Sequence, residues 1–276
     1  MNRFSLSDSA TGRPIRSLWA ALLAAGSLAA CSNTGQGVAG ADAEGLLKAS
    51  AAAAQAVTLS DADVRQLADK SCAEMDARAK LAPAKGKAAQ RLARLVKGMP
   101  KEVDGVALDF KVYETREVNA WAMNNGCVRV YSGLMDKMND NEVRGVIGHE
   151  IGHVALGHSK KALQVAYAAG AARQAAASAG HAAVAALSAS EIGDLAEKLV
   201  NAQFSQAQES AADDYAFDLL TAAGMRRDGL VTAFEKLAKL GDHSSLLSSH
   251  PASSERAQHI RDRLAAEKTA GKPVRP

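Results

Sequence analysis

Residues 139–154 read NDNEVRGVIGHEIGHV. Asn139, with Glu142 three positions on, has the form of a capping box that opens a helix. Val143, Val146, Ile147, Ile151 and Val154 then recur at helical spacing, which predicts a half-buried helix running to about Lys161. His149 and His153 stand four apart, so their side chains share one helix face with Cβ atoms about 5–6 Å apart. Two imidazoles so placed suit one zinc ion, at nitrogen distances of about 2.0–2.1 Å. Glu150 lies between them and can take a proton from a water held there. The pattern H-E-x-x-H also arises by chance on surface helices. The apolar flanks speak against chance, because uncompensated polar groups are costly on a half-buried helix and a bound cation compensates them.

Zinc with two histidines needs a third protein ligand and an open position for water. Residues 209–213, ESAAD, offer one. Glu209 and Asp213 are again four apart, so one carboxylate can bind metal while the other accepts the N–H of a ligating histidine. Alone, such a pair is usually a solvated helix face. Downstream of the histidine pair it gains meaning.

The N-terminus reads as an export signal. Arg13 and Arg16 precede a short apolar run, SLWAALLAAGSLAA, that ends at Cys31. It is too short and alanine-rich for a transmembrane span. Leu28-Ala29-Ala30-Cys31 resembles a bacterial lipobox, in which residues 1–30 are removed and Cys31 carries lipid; ordinary cleavage after an A-x-A-like site is the alternative. Acyl chains contribute about 0.8 kcal/mol per buried methylene, so several anchor stably. Ser32 after the cysteine fits an outer-membrane address. Residues 31–56, rich in Ala, Gly and Ser, read as the lipidated N-terminus and a flexible tether. Cys72 and Cys127 remain, 55 residues apart. An even pair in an oxidising periplasm suggests a disulfide worth about 4 kcal/mol on the chain-entropy model, with two buried thiols as the alternative. The net charge of +3 falls to +1 without residues 1–30, where Arg3, Arg13 and Arg16 are offset only by Asp8. A near-neutral chain without a basic stripe argues against nucleic acid as a partner.

Hydrophobic residues make up 47% of the 276, but aromatics only 4%, which favours helices packed through alanine. Helices are expected at about 60–80, opened by Ser60, and at 86–98, 191–223, 228–241 and 252–268, with Gly224 at a C-cap and Asp228 at an N-cap. VALDFKVYE alternates like a strand, Asn124-Asn125-Gly126 marks a turn, and CVRVYSG reads as a second strand, together a small antiparallel sheet. The alanine-rich residues 162–190 suit closely packed helices; a mobile flap or a membrane-touching surface are the other readings.

HEIGHVALGH, FSQAQESAADDYAFDLL and HPASSERAQHIRDR resemble the Ste24/HtpX-type zinc metallopeptidases, and the likeness runs from about Leu59 to Leu264. It implies an α+β fold: a mainly helical, zincin-like metallopeptidase domain over residues 57–270, with the small sheet beside the H-E-x-x-H helix. It implies one zinc per chain held by His149, His153 and Glu209, Glu150 as general base, and Asp213 behind a ligand. Where the family often has E-A-D, this chain has Ala211-Ala212-Asp213, which keeps the aspartate. His250, followed by Pro251, matches a late element that in some relatives folds back toward the zinc, from where His250 would occupy the open coordination position as a reversible plug. Arg256 in the same element would steady a substrate carbonyl or the oxyanion. A helix-start histidine and a surface arginine are the plainer readings. His158, five after His153, is expected off the ligand face in a structural role. Asn119, Ala120 and Trp121 resemble an edge strand to which an extended peptide adds; Trp121 suits a subsite or the core.

The leading expectation is an outer-membrane, periplasm-facing endopeptidase, anchored through Cys31, that cleaves unfolded or unassembled envelope polypeptides. A second is a self-inhibited protein acting mainly as a chaperone-like partner of outer-membrane assembly factors. A third, a lipid-anchored structural protein with a chance motif, requires that no zinc bind.

Overall fold

The computed structural model describes residues 59–177, 187–240, 244–251 and 254–269. The signal segment 1–30, Cys31 and the tether to residue 56 lie outside the described residues, as do 178–186 of the alanine-rich stretch.

The chain begins with α1 (Asp61–Arg78), capped by Ser60 as expected, whose side chain accepts the Asp63 N–H while Asp63 accepts the Ser60 N–H. Then come α2 (Lys87–Leu95) and a two-stranded hairpin, β1 (Glu102–Val103) and β2 (Val106–Ala107). A three-stranded sheet follows, β3 (Asp109–Tyr113), β4 (Ala120–Ala122) and β5 (Cys127–Tyr131), in the order β3-β5-β4. The sheet is mixed, not antiparallel. β4 and β5 form a hairpin over the Asn124–Gly126 turn, but β3 pairs with β5 in parallel, Asp109 opposite Cys127 through Tyr113 opposite Tyr131. The reason is β4 itself: it reverses the chain once, and the turn at Gly126 (φ 85°) reverses it again.

Five further helices follow: α3 (Ser132–Lys137), α4 (Asp140–Ala155), α5 (His158–Ala177), α6 (Ala189–Val200) and α7 (Gln206–Ala222). The chain then continues through α8 (Asp228–Leu240), α9 (Leu246–Ser249) and α10 (Ser254–Thr269). Two boundaries differ from expectation. The motif helix ends at Ala155, and the single helix expected at 191–223 is two, broken at 201–205 where Ser205 caps α7. Gly224 does sit just beyond the α7 cap at φ 66°. None of the helices among the described residues is long and apolar enough to cross a membrane.

α4 carries the motif and is buried almost all round, from Glu142 to Val154, not on one side only. Its glycines make this possible. Gly148 lies against Ala216 of α7, and a Cβ on Gly152 would stand 2.8 Å from the Ala212 carbonyl oxygen. Backbones therefore approach closely enough for α4 and α7 to face each other across their short polar side chains. One core surrounds α4 with Phe217, Leu220, Leu230 and Phe234; another joins α1 and α6 to Tyr113, Trp121 and Tyr131. The expected disulfide, Cys72–Cys127, ties α1 to β5. Beside it Arg129, 1% exposed, donates to Asp76 on α1 at 2.8 and 2.9 Å, and Lys111 and Tyr113 reach the same carboxylate.

Candidate metal centre

Two pairs of side chains, each one helical turn apart, meet between α4 and α7. His149 and His153 come from α4, with their Nε2 atoms 3.0 Å apart. Glu209 comes from the first turn of α7, its Oε2 3.5 Å from His149 Nε2 and its Oε1 3.3 Å from His153 Nε2. The loop after α9 adds His250, whose Nδ1 is 3.2 Å from His149 Nε2 and 3.1 Å from Glu209 Oε1. All four residues are buried, and their ligand atoms lie within 4.8 Å of one another.

These spacings fit a metal. Donor atoms about 2.0–2.1 Å from a tetrahedral ion lie about 3.3–3.4 Å apart, close to the 3.0–3.5 Å separations here. Three imidazole nitrogens turned on one another have too few protons to satisfy each other. The charges agree. Burial opposes ionisation of His149, yet Asp213 and Glu209 hold its imidazole up at about 9, so the pocket favours a cation. Burial also works against the Glu209 anion, but the three histidines keep its carboxyl far below the usual range. Burial pushes His153 well down, leaving a neutral imidazole, the form that ligates.

Glu150 lies next to this cluster, 2% exposed, its Oε1 3.6 Å from His250 Nε2 and without a hydrogen-bond partner. Burial raises its pKa, against the pull of His250 and His149.

Behind the cluster, Asp213 Oδ1 accepts from His149 Nδ1 at 2.7 Å. Arg256 on α10 donates to both Asp213 oxygens, Nε at 2.6 Å and a terminal nitrogen at 2.7 Å, and pairs with Glu209. Its guanidinium also lies 4.4 Å from the Phe234 ring centroid. At 3% exposure it is not a surface arginine; it holds the two carboxylates.

Sequence reasoning passed over Phe204, in the break before α7. Its ring centroid lies 4.0 Å from His153 and 5.2 Å from His250, and its N–H donates to the Ser249 carbonyl at 3.2 Å. An aromatic one residue before the Ser205 cap was its only signal. His158 also differs from expectation: its Nδ1 is 3.1 Å from His153 Nδ1, so it contacts a candidate ligand. β4 is the outer strand of its sheet, but its ends are covered. Leu246 N–H donates to the Val118 carbonyl at 3.3 Å and the Ser159 hydroxyl to that of Ala122 at 3.0 Å. Asn119, Ala120 and Trp121 are all buried, and Trp121 packs edge-on against Tyr113 at 5.9 Å, in the core.

Residues 86–264 match the model of Peptidase family M48. This chain belongs to that family. It is 53% identical to Metalloprotease LoiP of Escherichia coli over 92% of this chain and 98% of that protein. It is 49% identical to Metalloprotease YcaL of the same organism, over 87% and 94%. A shorter stretch, 25% of this chain, is 44% identical to Protease HtpX of Nitrosococcus oceani. As an M48 member the chain is a metallopeptidase, and the His149–His153–Glu209–His250 cluster is the group among its described residues that could hold the metal.

Proposed function

We propose that the protein is a zinc-dependent endopeptidase of the cell envelope, with His149, His153 and Glu209 as metal ligands and Glu150 as general base. The observation that carries this reading is the convergence of four buried ligand atoms within 4.8 Å beside Glu150, whose Oε1 has no hydrogen-bond partner. Zinc, when bound, polarises a carbonyl and brings the pKa of a water to about 7. Glu150 takes the proton of the attacking water at its carboxylate and delivers it to the leaving amine nitrogen. Its burial, which raises its pKa, suits a group that must both accept and return a proton. Asp213 fixes the His149 ring through Nδ1, and Arg256 orders Asp213 and Glu209.

On this reading His250, whose Nδ1 lies 3.2 Å from His149 Nε2 and 3.1 Å from Glu209 Oε1, is a reversible plug at the position that substrate or water would take. It is held there by the Leu246 contact with Val118 and by Phe204. Opening the site therefore means moving residues 244–250 away from β4, the outer strand that then offers its edge to an extended chain. The substrates on this reading are unfolded or unassembled envelope polypeptides, met at the outer membrane by a protein anchored through lipid on Cys31. Treatment of the full-length protein with a zinc chelator abolishes cleavage of an unfolded polypeptide, and zinc restores it. His250→Ala raises the rate without loss of metal. Cleavage that survives metal removal would overturn the metal assignment, and an unchanged His250→Ala rate would remove the plug. A chaperone-like partner of outer-membrane assembly factors is favoured instead if His250→Ala binds unfolded chains but cuts none.

A further inference from the structure

We infer that His158 is the positioning partner of His153, accepting the His153 Nδ1–H at its own Nδ1 and so leaving His153 Nε2 free for metal. This rests on the metal-site reading above. His153 Nε2 faces the cluster, 3.0 Å from His149 Nε2 and 3.3 Å from Glu209 Oε1, so Nδ1 is its outer nitrogen. A neutral imidazole that ligates through one nitrogen carries its proton on the other. His153 is 1% exposed, and the atom that meets its Nδ1 is His158 Nδ1, at 3.1 Å. One of the two nitrogens must donate and the other accept. The ligand supplies the proton, so His158 is the acceptor and carries its own proton on Nε2.

The chain is shaped for this contact. On an unbroken helix, a residue five after His153 would point about 140° away from it. The chain does not continue as one helix. Leu156 closes α4, Gly157 takes φ 69°, a left-handed conformation suited to glycine, and His158 opens α5. The next residue, Ser159, is buried and anchors α5 to β4 through the Ala122 carbonyl at 3.0 Å. The turn thus brings back to His153 a ring that helical periodicity sends elsewhere. Phe204 packs on His153 at 4.0 Å, fixing the ring from another side. The two candidate ligand histidines are then oriented differently, His149 by the Asp213 carboxylate and His153 by a neutral imidazole. Such outer partners typically change metal affinity 10–100-fold when removed.

The test compares zinc transfer from full-length protein to a colorimetric chelator for wild type, His158→Ala, His158→Phe and His158→Asn. Phenylalanine keeps the ring volume without an acceptor. Asparagine places an oxygen acceptor near the position of Nδ1. The expected result is zinc held about 10–100-fold more weakly by His158→Ala and His158→Phe, and within about threefold of wild type by His158→Asn. If His158→Ala does not fold, the Phe and Asn variants decide alone. Equal affinity in His158→Phe and wild type overturns the inference, as does a His158→Asn chain as weak as His158→Phe, which would make packing the cause. In either case zinc binding by the wild type leaves the metal reading intact; a wild type that binds no zinc removes both.

Discussion

The Gly152 Cα lies so close to the Ala212 backbone that a Cβ there would meet the Ala212 carbonyl oxygen at 2.8 Å. That approach sets how near His153 of α4 comes to Glu209 of α7. Alanine at 152 would gain up to about 1 kcal/mol of helix propensity. The contact is with backbone, though, and forcing a methyl group into it costs about 1–3 kcal/mol. Gly152→Ala is therefore expected to lower the melting temperature and weaken zinc binding together. In Gly148→Ala the new methyl meets the Ala216 Cβ at 3.3 Å and the Ala216 backbone no closer than 3.6 Å, so it should cost less on both counts. Thermal melts and zinc titrations of the two variants check the order.

Arg256→Ala leaves Asp213 and Glu209 buried without their guanidinium. Breaking such a buried pair costs about 3–5 kcal/mol. Arg256→Lys should restore little of it, because one ammonium cannot reproduce the two-pronged contact with Asp213. Urea unfolding of the metal-free proteins measures this. Recovery of full stability by lysine would mean that charge alone matters.

Much of this centre is legible in the sequence because helical periodicity alone fixes it. His149 with His153, and Glu209 with Asp213, are each one turn apart, and no tertiary knowledge is needed to place each pair on one face. His250 and Arg256 became visible through family resemblance, since they reach the site across chain breaks that no period describes. His158 and Phe204 were missed for a related reason. A left-handed glycine turns the first back, and an interhelical break presents the second. The parallel pairing of β3 with β5 is not legible because alternation marks a strand and not its neighbour, and β4, three residues long with alanine at both ends, is suggested only by the family resemblance.

Asp76 gives a pH prediction away from the metal. Burial works to raise its pKa, but hydrogen bonds from Arg129, Lys111 and Tyr113 outweigh it and hold the carboxyl at about 2. A folded pKa below the unfolded value of about 3.9 stabilises above that value, and the contribution is lost as pH falls towards 2. The wild type should thus melt higher than Asp76→Asn at pH 6, with the gap closing between pH 4 and 2. A gap that stays constant across that range would remove Asp76 as the source.

The Cys72–Cys127 bond closes a 55-residue separation between α1 and β5. Its removal by Cys72→Ser with Cys127→Ser is expected to cost about 4 kcal/mol. The metal centre draws on α4, α7 and the chain after α9, so zinc content should persist in the folded double variant. Denaturant titration beside metal analysis separates the two effects.

The central claim is that a metal held by α4 and α7, with Glu150 beside it, hydrolyses peptide bonds. It is tested most directly by measuring zinc content and cleavage of an unfolded polypeptide for wild type beside Glu150→Gln. The substitution removes the proton acceptor and leaves every candidate ligand in place. One zinc per chain in both, with cleavage only by the wild type, is the predicted result; no stoichiometric zinc, or equal cleavage by both, would contradict it.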